Sequence, residues 1–189
     1  MKDWYWLNIP NMITMGRVAC IPLLVILLYF SNPFWTAAAA VIFALVGISD
    51  CLDGWLARRL DKVTVLGQYL DPLADKLLVA AMLVMLVWLN RLPAWVAIII
   101  ISREICVTGL RAMSAENGFR LPSDAWGKIK TILQLIALDM LILHYPRFDI
   151  DFHEIGSWVM WVVLVITVWS GVRYAIYFKK LFPQRGGEG

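Results

Sequence analysis

The chain has 189 residues, of which 61% are hydrophobic and only 16% charged, with ten Trp and a formal net charge of +3. One domain of this size cannot hide that much apolar surface from water, so the composition excludes an ordinary soluble domain and points to lipid as the solvent. The net charge says little by itself, and no nucleic-acid partner is expected. Cys20, Cys51 and Cys106 are odd in number, lie in apolar segments and lack CxxC spacing, so they read as free thiols and not as a disulfide framework or zinc site.

In chain order, Trp4 to Pro10 reads as an interfacial stretch. Six apolar segments follow at about 14–30, 34–57, 68–89, 94–113, 127–144 and 155–178, each close to the roughly 20 residues a spanning helix needs. Ser31-Asn32-Pro33 separates the first pair, and Asn90 to Pro93 separates the third from the fourth. The first apolar run continues into a second, which favours a retained helical hairpin over a cleaved signal peptide. The fold expected is therefore an all-α membrane protein of six transmembrane helices in a single domain over 1–189. With both termini in the cytoplasm, the outer loops hold only Arg91 and Arg147, and every other one of the 17 Lys and Arg falls at an inner end or inner loop. The tail from Gln184 reads as frayed.

The second and third segments break the apolar rule. Asp50, Asp53, Arg58, Asp71, Asp75 and Lys76 fall in or beside them, and ionisable groups at such positions mark function by default. Asp50 and Asp53 are three apart and Asp71 and Asp75 four apart, so each pair shares a helix face. Four converging carboxylates repel one another unless a cation neutralises them, and hard oxygen donors suit Mg2+ or Mn2+. Gly54 follows the second acid and Gly67 opens the next segment, which allows close approach to the backbone. Ala57 is also small, and Arg58 can pair with a phosphate or with the acids. The competing structural reading is a set of interface charges paired with Arg58, Arg59, Lys62 and Lys76.

The stretch from Asp50 to Asp75 has the form D-x2-D-G-x2-A-R-x8-G-x3-D-x3-D. It resembles the signature of the CDP-alcohol phosphotransferase family at every defined position. The resemblance implies two divalent ions held by Asp50, Asp53, Asp71 and Asp75, with Asp75 also the general base. It implies that Gly54, Ala57, Arg58 and Gly67 bind the CDP moiety. Asn8 to Arg17, Asp71 to Lys76, Ser102 to Ile105 and Gly127 to Thr131 resemble the bacterial phosphatidylglycerophosphate synthases within that family. On this resemblance Asn11, Thr14 and Arg17 contact nucleotide or lipid phosphates; a helix start with Arg17 snorkelling is the other reading. It further implies CDP-diacylglycerol and sn-glycerol 3-phosphate as substrates, a multi-pass place in the bacterial cytoplasmic membrane with the active site facing inward, and a homodimer.

Charge placement adds an independent expectation. Arg103, Arg111, Lys128, Lys130 and Arg173 all map to inner halves or ends, and Arg103 and Arg111 are eight apart, close to one helical face. Together they form a candidate basic pocket for a phosphorylated acceptor, with Glu104 orienting an arginine. The bland reading is positive-inside anchoring, which is preferred for Lys179 and Lys180. His144, His153, Asp149, Asp151 and Glu154 sit on the opposite side and read as a solvated loop. Three alternatives stay open: inositol phosphate, serine or phosphatidylglycerol as acceptor. A more distant one is a carrier or channel for divalent cations, with the acids lining a pathway.

Overall fold

A computed structural model describes residues 9–30, 32–60, 65–116, 125–146 and 149–181; side chains are described for fewer, and those of 9–14, 50–60, 65–72, 115–116, 125–126, 128 and 178–181 are outside the set. These residues form six helices: α1 (Ile9–Tyr29), α2 (Pro33–Leu60), α3 (Val65–Trp88), α4 (Ala94–Glu116), α5 (Ala125–Leu143) and α6 (Phe152–Leu181). Helix therefore extends past most of the apolar segments by a few residues, because polar first and last turns continue a helix that hydropathy alone does not count. Ile9 and Pro10, read as interfacial, already belong to α1, where the missing N–H of proline is harmless in the first turn; Met1 to Asn8 lie outside the described residues, as does Gln184 onward.

The helix ends follow from local chemistry. Asn32 Oδ1 accepts from the N–H groups of Phe34 (3.1 Å) and Trp35 (3.0 Å), and Pro33 occupies the first helical position, so α2 starts with an N-cap and a residue that lacks an orphan donor. Asp151 caps α6 in the same way, accepting from His153 and Glu154 at 3.0 Å each. His153 and Glu154 thus belong to the first turn of α6 and not to a loop, and the rings of His144 and His153 meet edge to face at 4.7 Å. At the end of α3, Asn90 adopts φ 56°, Arg91 N–H reaches Leu86 O at 2.9 Å and Asn90 N–H reaches Val87 O at 3.0 Å, the paired bonds of a Schellman stop.

Packing runs α1 on α2 and α3, α2 on α5, α3 on α4 and α5, and α6 on α4 and α5. The core is one cluster that includes Leu28, Phe43, Met82, Ile100, Leu141 and Val163. It draws on the C-terminal halves of α1, α3 and α5 and the N-terminal halves of α2, α4 and α6, as antiparallel packing of successive helices requires. The close-packed apolar end is therefore opposite the end where α2 finishes and α3 begins. Large apolar side chains also cover the outside: Leu23, Ile26, Val41, Leu45, Val165 and Trp169 are all exposed. Among the described residues one helical stretch, Phe152–Tyr177, is long and apolar enough to cross a membrane.

Arg91 shows why the apolar end holds together. The outer-loop position expected from sequence is correct in chain order, yet the side chain is buried, 6% exposed. Its Nη1 donates to Ile142 O (2.8 Å) and Leu141 O (3.4 Å), two of the carbonyls that the end of α5 leaves unsatisfied. At the same end Gly156 lets α6 touch α5: a Cβ there would lie 2.9 Å from Met140 Cβ and 3.2 Å from the Leu141 backbone N. Backbone cannot move aside as a side chain tip does, and small residues at such crossings are the usual solution in helical bundles.

Two outcomes are expected. Gly156→Leu separates α5 from α6 and lowers the thermal unfolding midpoint in detergent by several degrees. Arg91→Met strands the α5 carbonyls and destabilises by about 1–3 kcal/mol, read as a lowered midpoint in the same assay.

Candidate active site

At the end of the bundle away from the core, two sets of polar residues come from five helices, α2 to α6. The first is the acid signature. The backbone of Asp50 and Asp53 lies in the last third of α2, and that of Asp71 and Asp75 in the first half of α3. Only residues 61–64 separate the two helices. Counted from that connection, Asp50 and Asp75 both stand ten residues along their helices, about 15 Å of rise, and Asp53 and Asp71 stand at about 10 Å. The spacing thus puts the four backbone positions at two matched distances from that connection. Asp75 is partly buried. The side chains of Asp50, Asp53, Gly54, Ala57, Arg58, Gly67 and Asp71 lie outside the described residues, as do those of Asn11 and Thr14. The donor set of four carboxylates with no His or Cys fits a hard divalent cation and not zinc. Gly54 and Gly67 lie on the helical backbone of α2 and α3.

The second set is centred on α4. Arg103, Glu104, Thr108 and Arg111 lie along this helix, and each reaches a different neighbour. Glu104 Oε1 pairs with Lys130 Nζ of α5 and accepts from Arg103 Nη1 at 3.2 Å. Arg103 Nη2 donates to Ser170 Oγ of α6 at 2.6 Å. Arg111 Nη2 donates to the Tyr174 hydroxyl of α6. Lys76 of α3, next to Asp75, donates to Thr108 Oγ1 of α4, and Thr108 in turn donates to Glu104 O at 2.6 Å. A single helix face therefore ties the signature helix α3 to α5 and α6 through charged and hydroxyl groups.

Burial decides what these contacts mean. Lys130 is 2% exposed, so it is not a helix-end lysine reaching for solvent; its ammonium is held by the Glu104 carboxylate. Among the described residues, none is a hydrogen-bond partner to the buried Arg103 Nε. A buried guanidinium N–H left unpaired costs about 1–3 kcal/mol. Arg111 is exposed, with Nη2 on Tyr174. Among the described residues, Lys76, Arg103 and Lys130 act on the Glu104 carboxylate, and Asp75 acts on Lys76 as well.

Of the expected basic pocket, the structure brings Arg103, Arg111 and Lys130 into one network. The Lys128 side chain is outside the described residues. Arg173 lies over the ring of Tyr177, 5.9 Å from its centroid, on its own helix. Arg17 is buried, 5% exposed, which corrects the snorkelling alternative, since a snorkelling side chain keeps its head in water. Sequence reasoning missed Ser170, Tyr174 and the link from Lys76 through Thr108. The signal was present in α6: Thr167, Ser170, Arg173 and Tyr174 interrupt an otherwise apolar helix at helical spacing.

Residues 7–169 match the family model described as CDP-alcohol phosphatidyltransferase. The chain is 41% identical over 179 residues to a Bacillus subtilis protein named CDP-diacylglycerol–glycerol-3-phosphate 3-phosphatidyltransferase, covering 88% of this chain and 93% of that one. Proteins of the same name from Pseudomonas fluorescens (41% over 177 residues; 89% and 88% covered) and Rickettsia bellii (34% over 176 residues; 93% and 97% covered) are similar along nearly their whole lengths.

The Glu104 bridge yields a prediction. Glu104→Ala leaves the buried Lys130 ammonium uncompensated and is expected to destabilise by about 3–5 kcal/mol, whereas the double change Glu104→Leu with Lys130→Met restores most of that loss. Thermal unfolding of the purified variants measures both.

Proposed function

Because the chain belongs to the CDP-alcohol phosphatidyltransferase family, we propose that it transfers the phosphatidyl group of CDP-diacylglycerol to sn-glycerol 3-phosphate and releases CMP. The observation that carries the choice of acceptor is the cationic network of Arg103, Arg111 and Lys130, with its buried Arg103 N–H unpaired among the described residues, at the same end of the bundle as the acid signature. A phosphorylated acceptor supplies the anion such a network lacks, and arginine suits it by presenting paired donors to phosphate oxygens. The names of the relatives agree with this reaction.

Asp50, Asp53, Asp71 and Asp75 are the residues that would hold two divalent ions, Mg2+ or Mn2+, which supply charge neutralisation at pyrophosphate oxygens when bound. Gly54, Ala57, Arg58 and Gly67 are assigned to the CDP moiety, and Asn11, Thr14 and Arg17 to phosphates near the start of α1. Arg103, Arg111 and Lys130, with Lys128 and Arg173, are assigned to the acceptor phosphate. Asp75 takes the proton of the acceptor hydroxyl. The freed oxygen attacks the phosphorus that carries the diacylglycerol, the bond from that phosphorus to the CMP oxygen breaks, and CMP leaves. Lys76 follows Asp75 directly and is fixed through Thr108 to the helix of Arg103 and Arg111, which couples base and acceptor grip. Most of the rate gain on this reading is positioning and charge compensation.

The same reading places all six helices across the bacterial cytoplasmic membrane as one domain, with both termini and the active site inside. The exposed apolar surface and the segregation of Lys and Arg support it. A homodimer is part of the proposal on family grounds.

Four measurements test it. Purified protein given CDP-diacylglycerol and a panel of acceptors is expected to release CMP with sn-glycerol 3-phosphate, to lose activity on chelation and to regain it with Mg2+ or Mn2+; preference for inositol phosphate, serine or phosphatidylglycerol would replace the acceptor. Folded Asp50→Ala, Asp71→Ala and Asp75→Asn are expected to be inactive, and normal turnover in any of them removes that residue from the mechanism. Folded Arg103→Gln and Arg111→Gln are expected to raise KM for sn-glycerol 3-phosphate roughly ten- to hundredfold, the kinetic equivalent of losing a charged hydrogen bond, with much less change for CDP-diacylglycerol. Reporters fused to either terminus are expected to signal from the cytoplasm; an external C-terminal signal means that a span has been miscounted.

A further inference from the structure

Tyr174 is 4% exposed and Ser170 2% exposed, one turn apart on α6, so both present to the same neighbour. That neighbour is the arginine face of α4. The Tyr174 hydroxyl accepts from Arg111 Nη2, and its ring lies under both guanidinium groups, with Arg111 Cζ 5.1 Å and Arg103 Cζ 5.8 Å from the centroid. Ser170 Oγ accepts from Arg103 Nη2 at 2.6 Å and donates to Thr167 O at 3.2 Å, so its own orientation is set by the helix backbone. Between them Gly171 gives Arg103 room to pass: a Cβ there would lie 3.3 Å from Arg103 Cγ.

Two guanidinium groups converging on one ring repel each other, and each sits on a long stem with many rotamers. Left to themselves they diverge. The tyrosine face attracts both cations, while the two hydroxyl oxygens take one N–H from each arginine, leaving other guanidinium donors for a ligand. Holding the arginines before the ligand arrives removes the ordering loss from the binding step.

We propose that Ser170 and Tyr174 are positioning residues that hold Arg103 and Arg111 as a preformed clamp for the phosphate of the acceptor. The inference rests on the reading that these arginines bind that phosphate. It gives α6, which also carries Arg173, a part in acceptor affinity through two hydroxyl groups.

The test is steady-state kinetics of the full-length protein in mixed micelles, with folding checked by thermal unfolding. Tyr174→Phe keeps the ring and volume and removes only the hydroxyl; Ser170→Ala does the same for the other contact. Each is expected to raise KM for sn-glycerol 3-phosphate roughly three- to tenfold, the range for one lost hydrogen bond, while KM for CDP-diacylglycerol stays within about twofold. Because Tyr174 acts through Arg111, adding Tyr174→Phe to Arg111→Gln is expected to change acceptor KM no further than Arg111→Gln alone. Unchanged acceptor KM in both single variants, equal changes for the two substrates, or additive effects in the double variant overturns the clamp. Should Tyr174→Phe fail to fold, Ser170→Ala, measured alone and with Arg103→Gln, decides on the same criteria. If Arg111→Gln and Arg103→Gln themselves leave acceptor KM unchanged, the phosphate reading fails and the clamp falls with it; if they raise it and neither hydroxyl variant does, only the clamp falls.

Discussion

Burying cations among apolar helices is the constraint on which the polar end of this protein depends. Lys130 is almost completely enclosed, and an ammonium in such a place is tolerable only with a carboxylate against it. Glu104 supplies that carboxylate and shares it with Arg103. Because Glu104 and Arg103 are adjacent on α4, while Lys130 belongs to α5 and Ser170 to α6, satisfying one buried charge fixes three helices relative to one another. Thr108 and Lys76 extend the same logic to α3. An arrangement of this kind gives little net stability compared with apolar packing, but it is intolerant of a missing partner, and so it specifies one geometry.

The two ends of the bundle divide the work. One end is closed by Leu28, Phe43, Met82, Ile100, Leu141 and Val163 in a single apolar cluster, with Gly156 allowing α5 and α6 to touch and Arg91 satisfying the end of α5. The other end gathers the acid signature, Arg17 and the α4-centred network. Antiparallel packing of successive helices makes this division possible: every helix gives one half to packing and the other to polar groups. A rigid apolar end is what allows charged side chains from several helices to keep fixed mutual positions at the other, which the proposed transfer between two phosphate-bearing substrates demands.

Much of the fold was legible from the order of residues. Asn32-Pro33 and Asn90 mark helix boundaries for local reasons, an N-cap with a proline behind it and a residue that accepts a positive φ. Boundaries drifted where a polar turn continued a helix, as at Leu60, Glu116 and Leu181. The acid signature is legible as a sequence pattern because its information is local: spacings of three and four along a helix and glycines beside carboxylates. Arg103, Arg111 and Lys130 were legible as charges out of place in apolar segments.

What the sequence by itself determined, then, is the set of helices, the apolar character of their surfaces and the position of each unusual charge along its own helix, since propensity, capping and periodicity act over a few residues. Tertiary structure decided which charges meet. That Glu104 takes Lys130, that Arg91 turns inward to α5 instead of outward to solvent, and that Arg111 rests on Tyr174 depend on how α4, α5 and α6 cross and rotate. Those rotations are set by the packing of the whole apolar end and by Gly156 in particular, and no local pattern in Ser170 or Tyr174 says which arginine will arrive there.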